Sequence, residues 1–282
     1  MRTCLILIGG LLLQHASLRG ADTTLPPDVQ QVGFIRSSLI KESSGIAPCR
    51  SDPKVFWTHN DGKHRTLFAI DRQGRDLGSV QILVGFEDWE DIASNHQGQL
   101  YLADTGNNKA ARSEISVHEI DEPDPHALPR AIKVNRSWKL HFPKEIFDCE
   151  SLFVWQGQGY LISKVFNDAR AGLYRFPLKN SDGPILLHKV ARLHVDSPVT
   201  GADLSEEGDK LAIVTKTGAA VIQCGGNLSS VGEAKPIWTK FRHEHIEACC
   251  FVPEGLLATA ESREIYLFTA SEFRPVPKTV LK

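Results

Sequence analysis

Five short polar motifs recur along the chain, and each is followed at an almost constant distance by a second polar residue. The motifs begin at Ser44, Glu90, Glu150, Ala202 and Glu247. The second row, 14 or 15 positions later, consists of His59, Asp104, Lys164, Lys216 and Glu261. A third row, two residues before the motifs, consists of Glu42, Asp88, Asp148, Thr200 and His245. A repeat this regular is typical of a modular architecture, and it predicts that these polar residues gather in space.

The first row is rich in carboxylates, which suit a hard cation. Several carboxylates that face one narrow channel stay ionised only if a cation lies among them; otherwise their pKa values rise. Oxygen ligands favour Ca²⁺, or Mg²⁺, over zinc. The candidate cation ligands are Ser44, Glu90, Glu150, Asp203 and Glu247, with Asp203 serving in place of Ala202 if the strand entry is shifted. Alternatively, the acids cap the strands by accepting backbone N–H bonds, and water fills the channel.

The second row mixes bases with acids. Lys164 and Lys216 occupy matching positions, and together with Arg263 they would suit an anionic ligand such as a phosphate or a carboxylate. The candidate ligand-binding residues are Asp61, Asn107, Lys164, Lys216, Glu261 and Arg263, and the candidate catalytic residues are His59, Asp104 and His245. A histidine here would act as acid or base. The alternative for the Asp, Asn and Gly residues is ordinary turn chemistry.

Bulk composition limits the class of protein. The chain has 282 residues and a formal charge of −2, which argues against nucleic-acid binding. Arg2 and the apolar run from Leu5 to Leu13 predict a signal peptide over residues 1–20, because the run is too short to span a bilayer. We therefore expect a secreted or periplasmic protein without a membrane span.

Removal of the signal peptide leaves five cysteines, an odd number. Their spacing matches no zinc site. The favoured interpretation is that the cysteines are buried free thiols. The alternative is that two of them form one disulfide in an oxidising compartment.

The elements that must position the polar rows are β-strands. After each motif come further apolar runs separated by turn residues, without a helical period, so the fold class is all-β. Four strands in each unit predict a five-bladed β-propeller, a single domain over residues 29–282. The strand at Val32–Ile35 should complete the last blade and close the ring. The alternative is a six-bladed propeller.

This topology places both polar rows at one end of the channel, since antiparallel strands return the chain to its starting side. The three prolines between Asp121 and Pro129 predict a hairpin loop there.

The segments Ser43–Ala47, Trp57–Asp61, Asp88–Ala93 and Asp104–Asn108 resemble a family of secreted bacterial propeller proteins, some of them described as phytase-like or esterase-like. The five-fold pattern is also similar to the calcium-dependent apyrases, five-bladed nucleotidases. That similarity implies Ser44, Glu90, Glu150 and Glu247 as the shell of a Ca²⁺ ion, with Ala202 departing from the pattern.

Three functions follow as hypotheses. The first is a binding protein for an anionic small molecule or for a secreted protein partner, acting as a monomer. The second is a metal-dependent hydrolase of phosphate esters, phytase-like or nucleotidase-like. The third is a non-catalytic interaction scaffold. The sequence contains no nucleophile elbow, glycine-rich phosphate loop or metalloprotease motif, which favours binding over catalysis.

Overall fold

The computed structural model describes residues 25–166, 170–195 and 198–275, and the predicted signal peptide lies outside them. The described residues form five β-sheets, arranged as the blades of a five-bladed β-propeller. The strands are β1 (Val29–Phe34), β2 (Ser43–Pro48), β3 (Val55–Asn60), β4 (Thr66–Asp71), β5 (Asp76–Ile82), β6 (Trp89–Ser94), β7 (Gln99–Asp104), β8 (Glu114–Asp121), β9 (Ala131–Ile132), β10 (Arg136–His141) and β11 (Asp148–Trp155). They continue as β12 (Gln158–Lys164), β13 (Gly172–Pro177), β14 (Ile185–Leu186), β15 (His188–Arg192), β16 (Val199–Leu204), β17 (Lys210–Thr215), β18 (Gly218–Gln223), β19 (Ile237–Lys240), β20 (Ile246–Val252), β21 (Gly255–Ala260) and β22 (Glu264–Phe268).

The inner strands of the five blades form a closed ring around the axis. In blade order they are β2, β6, β11, β16 and β20, and each packs against the next, with β20 returning to β2. The sheet orders run outward as β2-β3-β4-β5, β6-β7-β8-β10, β11-β12-β13-β15, β16-β17-β18-β19 and β20-β21-β22-β1. The predicted five-bladed fold is therefore confirmed, and the six-bladed alternative is wrong.

The N-terminal strand closes the ring, as predicted. β1 pairs antiparallel with β22, with Val29 opposite Phe268 and Phe34 opposite Glu264. The strand begins at Val29 rather than Val32. Pairing the two ends of the chain in one sheet removes the exposed edges that an open array would leave.

The core lies between adjacent blades. The second strands β3 and β17 are buried along their whole length, because a neighbouring blade covers each face. The outer strand β15 is largely exposed. This explains why the second strands read in sequence as continuous apolar runs rather than as alternating patterns.

Two short strands join blades to their neighbours in a way that the sequence pattern did not predict. The Pro-rich segment after Asp121 is a loop, but the chain then adds β9 to β5 of the preceding blade in parallel. β14 pairs in the same way with β10. These additions cover the outer edges of two sheets.

The cysteines of the described chain, Cys49, Cys149, Cys224, Cys249 and Cys250, are all free and buried. This agrees with the interpretation of small apolar core residues. Among the described residues, no helix is long and apolar enough to cross a membrane.

Candidate functional site

A β-bulge at the start of each inner strand presents the polar motif. The register shifts lie between Ser43 and Ile46, Trp89 and Asp91, Cys149 and Leu152, Val199 and Gly201, and Ile246 and Ala248. The residues at the equivalent bulge position are Ser44, Glu90, Glu150, Thr200 and Glu247. The alignment of Ala202 with this row was therefore wrong by two residues. We call this end of the propeller, where the inner strands begin, the acidic face.

Five carboxylates converge on the acidic face at the axis. One oxygen from each of Glu90, Asp148 and Glu150 lies within 4.8 Å of the others, and the same holds for Asp61, Asp88 and Glu90. Because Glu90 belongs to both groups, the five side chains form one acidic cluster. This gathering matches the topological prediction that the rows meet at one end of the channel.

Asp61 was predicted as a ligand-binding residue rather than as a cation ligand, and two further members of the acidic cluster, Asp88 and Asp148, belong to neither candidate set. Both belong to the third polar row, two residues before Glu90 and Glu150. This constant spacing of two residues is the sequence signal from which both can be found. The bulge explains why these carboxylates converge, because it turns residues on either side of it toward the acidic face.

Asp148 has a prearranged carboxylate. Its Oδ1 accepts hydrogen bonds from the backbone N–H groups of Asn107 at 2.6 Å and Cys149 at 3.0 Å. Its Oδ2 is buried and has no hydrogen-bond partner among the described residues, and the residue is only 8% exposed. Asn107 thus contributes its backbone, while its side chain bonds both the N–H and the carbonyl of Arg112.

The loop around Gly106 supports the other acids. Asp104 Oδ1 accepts the backbone N–H groups of Glu87 and Asp88 and also binds Arg112 at 3.1 Å, so it holds the entry to β6. A Cβ at Gly106 would collide with the carboxylate oxygens of Glu90 and Asp88. An alanine at position 106 would therefore displace these two carboxylates from their places in the acidic cluster.

Burial and mutual repulsion perturb the acids of this face. Burial, followed by the carboxylate of Glu150, holds the pKa of Glu90 well above its usual range. Burial raises the pKa of Glu150 to about 7, and that of Asp61 to about 6. Glu247 lies at the edge of the acidic cluster, where burial and Glu150 raise its pKa to about 9. Burial is the largest cause of each of these pKa shifts, and repulsion between neighbouring carboxylates adds to it.

The two lysines of the second row differ in their contacts. Lys164 Nζ forms an ion pair with Glu150 Oε1, and the side chains are 10% and 8% exposed. Lys216 is half-buried and has no salt bridge to an acid in the described parts of the chain. Lys164 therefore acts as an internal counter-ion of the acidic cluster.

The remaining predicted residues are spread more widely. His59 is completely buried and stacks on Trp89, with ring centroids 3.9 Å apart. Burial lowers its pKa to about 3, so its ring is neutral at physiological pH. His245 Nδ1 lies 3.3 Å from Glu261 Oε2 at the exposed rim. Ser44 Oγ donates to the Glu90 carbonyl at 2.9 Å and links two blades.

Arg263 and Asp203 lie away from the acidic cluster. The guanidinium of Arg263 covers the ring of Phe34 at 5.0 Å, on the outer strand of the last blade. Asp203 lies three residues beyond Thr200 on β16, about 10 Å further along the channel at the usual rise per residue. Its carboxylate accepts the N–H groups of Leu204 and Phe251.

The loops that surround the acidic cluster carry an excess of positive charge. The exposed basic residues in these described loops number eight and the exposed acids number four. The bases are Arg36, Lys41, Lys63, Arg65, Lys109, Lys144, Arg170 and Arg242, and the acids are Glu42, Glu87, Glu145 and Glu244. The acidic face thus combines a carboxylate centre with rim loops in whose described parts the exposed bases outnumber the exposed acids.

Comparison with known proteins does not identify a family. No family profile matches the chain, and no curated protein matches it. Similar solved structures include a chain of a nidogen/laminin complex, with 14% identity, coverage of 84% of this chain and 81% of that chain, and a TM-score of 0.48. U3-55K shows 9% identity, coverage of 86% and 98%, and a TM-score of 0.46. A putative 6-phosphogluconolactonase from Bacteroides fragilis shows 13% identity, coverage of 82% and 87%, and a TM-score of 0.45.

These likenesses carry no function to this chain, because folds of this kind host unrelated activities. The resemblance to phytase-like propellers and to apyrases stays a prediction.

Proposed function

We propose that the acidic face binds one divalent cation of the Ca²⁺ type and, through it, an anionic ligand. The observation that carries the proposal is the convergence of Glu90, Asp148 and Glu150, together with the Oδ2 of Asp148, which is buried without a hydrogen-bond partner among the described residues. A buried carboxylate oxygen without a donor is costly unless something positive satisfies it.

The spacing of the oxygens fits such an ion. Ca²⁺ binds oxygens at about 2.3–2.6 Å, so two ligands on opposite sides of the ion stand about 5 Å apart. Oxygens within 4.8 Å of one another can share one ion. Flexible carboxylate shells of this kind suit Ca²⁺ better than Mg²⁺, which demands near-ideal octahedral geometry.

The charge pattern of the face supports an anionic ligand. A bound cation would offset the negative centre, and the exposed bases of the rim would attract phosphate or carboxylate groups. The ligand is a small anion or an acidic loop of a partner protein. Secretion, predicted from residues 1–20, would expose the site to the higher calcium concentrations outside cells, where weak sites suffice.

A hydrolase is the second candidate: a bound cation together with Lys216, which is half-buried and has no salt bridge in the described chain, would suit a phosphate ester, whereas Lys164 is already paired with Glu150. The contacts of the candidate catalytic residues His59 and Asp104 do not favour a hydrolase. His59 is sealed in the core and Asp104 is occupied by backbone N–H groups and Arg112. His245 with Glu261 is the remaining pair at the rim. Binding without chemistry is therefore preferred.

The cation proposal is tested by calorimetric titration of the metal-free protein with CaCl₂. Asp148→Asn is the informative variant, because it keeps Oδ1 for the two backbone donors and replaces the unpartnered oxygen by an amide. We expect one site in the wild-type protein and at least tenfold weaker binding in the variant. Asp182→Asn, in an exposed loop at the other end, is the matched control. Absence of Ca²⁺ binding in the wild-type protein would refute the proposal.

An assay of phosphate release distinguishes the hydrolase from the binding protein. The Ca²⁺-loaded protein is incubated with nucleotides, sugar phosphates and phytate. Release that is lost in Asp148→Asn supports the hydrolase. Stabilisation by inorganic phosphate in the presence of Ca²⁺, without release from any ester, supports the binding protein.

A further inference from the structure

A cavity opens at the end of the channel opposite the acidic face. We call this end the distal face, because the inner strands end there. The volume of the cavity is about 720 Å³. All five blades contribute to its wall through the ends of the inner strands: Pro48, Ser94, Val154, Asp203 and Phe251. The size lies within the range of about 300–1,000 Å³ that small-molecule sites occupy. The acidic cluster takes no part in it.

The wall of the distal cavity is rich in side-chain amides. Asn95 and Gln99 bond each other at 2.8 Å, which fixes one pair. The amides of Gln97 and Gln156 have no side-chain hydrogen bond to any described residue, so their donors and acceptors are available. Each free amide offers both a carbonyl oxygen and an NH₂ group.

Trp155 adds a rigid aromatic surface to the wall. Its ring is wedged against the backbone of Gly208, where a Cβ would collide with it. The contact joins the turns of blades three and four and fixes the ring in place. Aromatic rings of this kind pack against apolar ligand faces at small entropic cost.

The charges of the distal cavity nearly cancel. Arg50, His96 and Arg136 line the cavity together with Glu206, which lies 3.8 Å from His96, and with Asp203, whose pKa burial raises to about 7. Arg136 is also engaged by Glu119 through a bidentate ion pair. A strongly charged ligand would find no net complementary field, so the cavity favours a neutral, polar ligand.

We propose that the distal cavity binds a neutral oligosaccharide. Side-chain amides both donate to and accept from vicinal hydroxyls, guanidinium groups donate to them, and an aromatic ring packs against the C–H face of a sugar ring. The distal cavity is open to solvent, and its volume admits more than one sugar unit. The site is separate from the proposed cation site and does not depend on it.

The test is calorimetric titration with four neutral trisaccharides: maltotriose, cellotriose, laminaritriose and N-acetylchitotriose. We expect the wild-type protein to bind at least one of them. The double variant Gln97→Ala/Gln156→Gly should bind it at least tenfold more weakly. Glycine suits position 156, where the backbone φ is +48°. Gln73→Ala, at an exposed turn outside the cavity, is the matched control and should bind as the wild type does.

Two further variants separate the causes. Trp155→Phe keeps a ring against Gly208, and it should weaken binding while the melting temperature stays near that of the wild type. Asp148→Asn, which alters the cation site, should leave sugar binding unchanged. Failure of the wild-type protein to bind any of the four sugars, or equal affinity in the double variant, would overturn the proposal whatever the result with Ca²⁺.

Discussion

Replacing Lys164 by methionine removes the ammonium group that pairs with Glu150 inside the acidic cluster. The two side chains are 10% and 8% exposed, so the pair is buried. Removal of one partner of a buried pair typically costs about 3–5 kcal/mol, because the other charge is left uncompensated. For a protein of this size we expect the melting temperature to fall by about 10 °C.

The loss of stability caused by Lys164→Met should depend on pH. Glu150 has a pKa of about 7, so it is ionised and paired at pH 8 and largely protonated at pH 5. The destabilisation relative to the wild-type protein should therefore be larger at pH 8 than at pH 5. Thermal unfolding of the cation-free protein at both pH values measures it. Lys216→Met is the control, since Lys216 lacks a salt bridge in the described chain, and it should lose less stability.

Added Ca²⁺ should stabilise the Lys164→Met variant more than it stabilises the wild-type protein. In the wild-type protein the ammonium occupies Glu150 Oε1, which a cation could otherwise use. Lys164→Met should therefore gain a larger rise in melting temperature from added Ca²⁺ than the wild-type protein does. A variant as stable as the wild type at pH 8, or one whose response to Ca²⁺ is smaller, would refute the reasoning.

Further predictions concern the cation-free protein, the loop, the ring closure and the thiols. Burial raises the pKa values of Glu150 and Glu247 to about 7 and about 9, so the folded protein holds protons that the unfolded chain releases. The free energy of unfolding, measured in urea, should therefore fall as pH rises from about 5 to about 9. Gly106→Ala should abolish the thermal upshift given by Ca²⁺, since its Cβ displaces Glu90; an unchanged upshift would show that the loop is not part of the site. Deletion of residues 25–36 should expose the edge of β22 and produce aggregation on size-exclusion chromatography, and a monomeric folded product would contradict the role of β1. The five buried cysteines should resist a thiol reagent until the protein is unfolded in guanidinium, so rapid labelling of the native protein would count against the packing described.

The sequence by itself determined the architecture. The constant spacing between the motif and the second polar row follows from one hairpin, in which an inner strand crosses the blade and the second strand returns. The second strands are apolar throughout because neighbouring blades cover both faces, and this pattern survives in the sequence. Closure by the N-terminal strand followed from counting strands at the two ends of the chain. These features depend on period and chain length, which a linear sequence preserves.

The tertiary structure decided which polar groups meet. The bulge in β16 makes Thr200, not Ala202, the equivalent of Glu90, and Asp203 then points to the distal half of the channel. Arg263 turns outward onto Phe34 rather than toward the axis. Spacing along the chain places a residue at one end of a blade. The direction of its side chain depends on bulge register and on contacts with the neighbouring blade, which lie far away in sequence. For the same reason the distal cavity, built from five separate turns, has no local sequence signature.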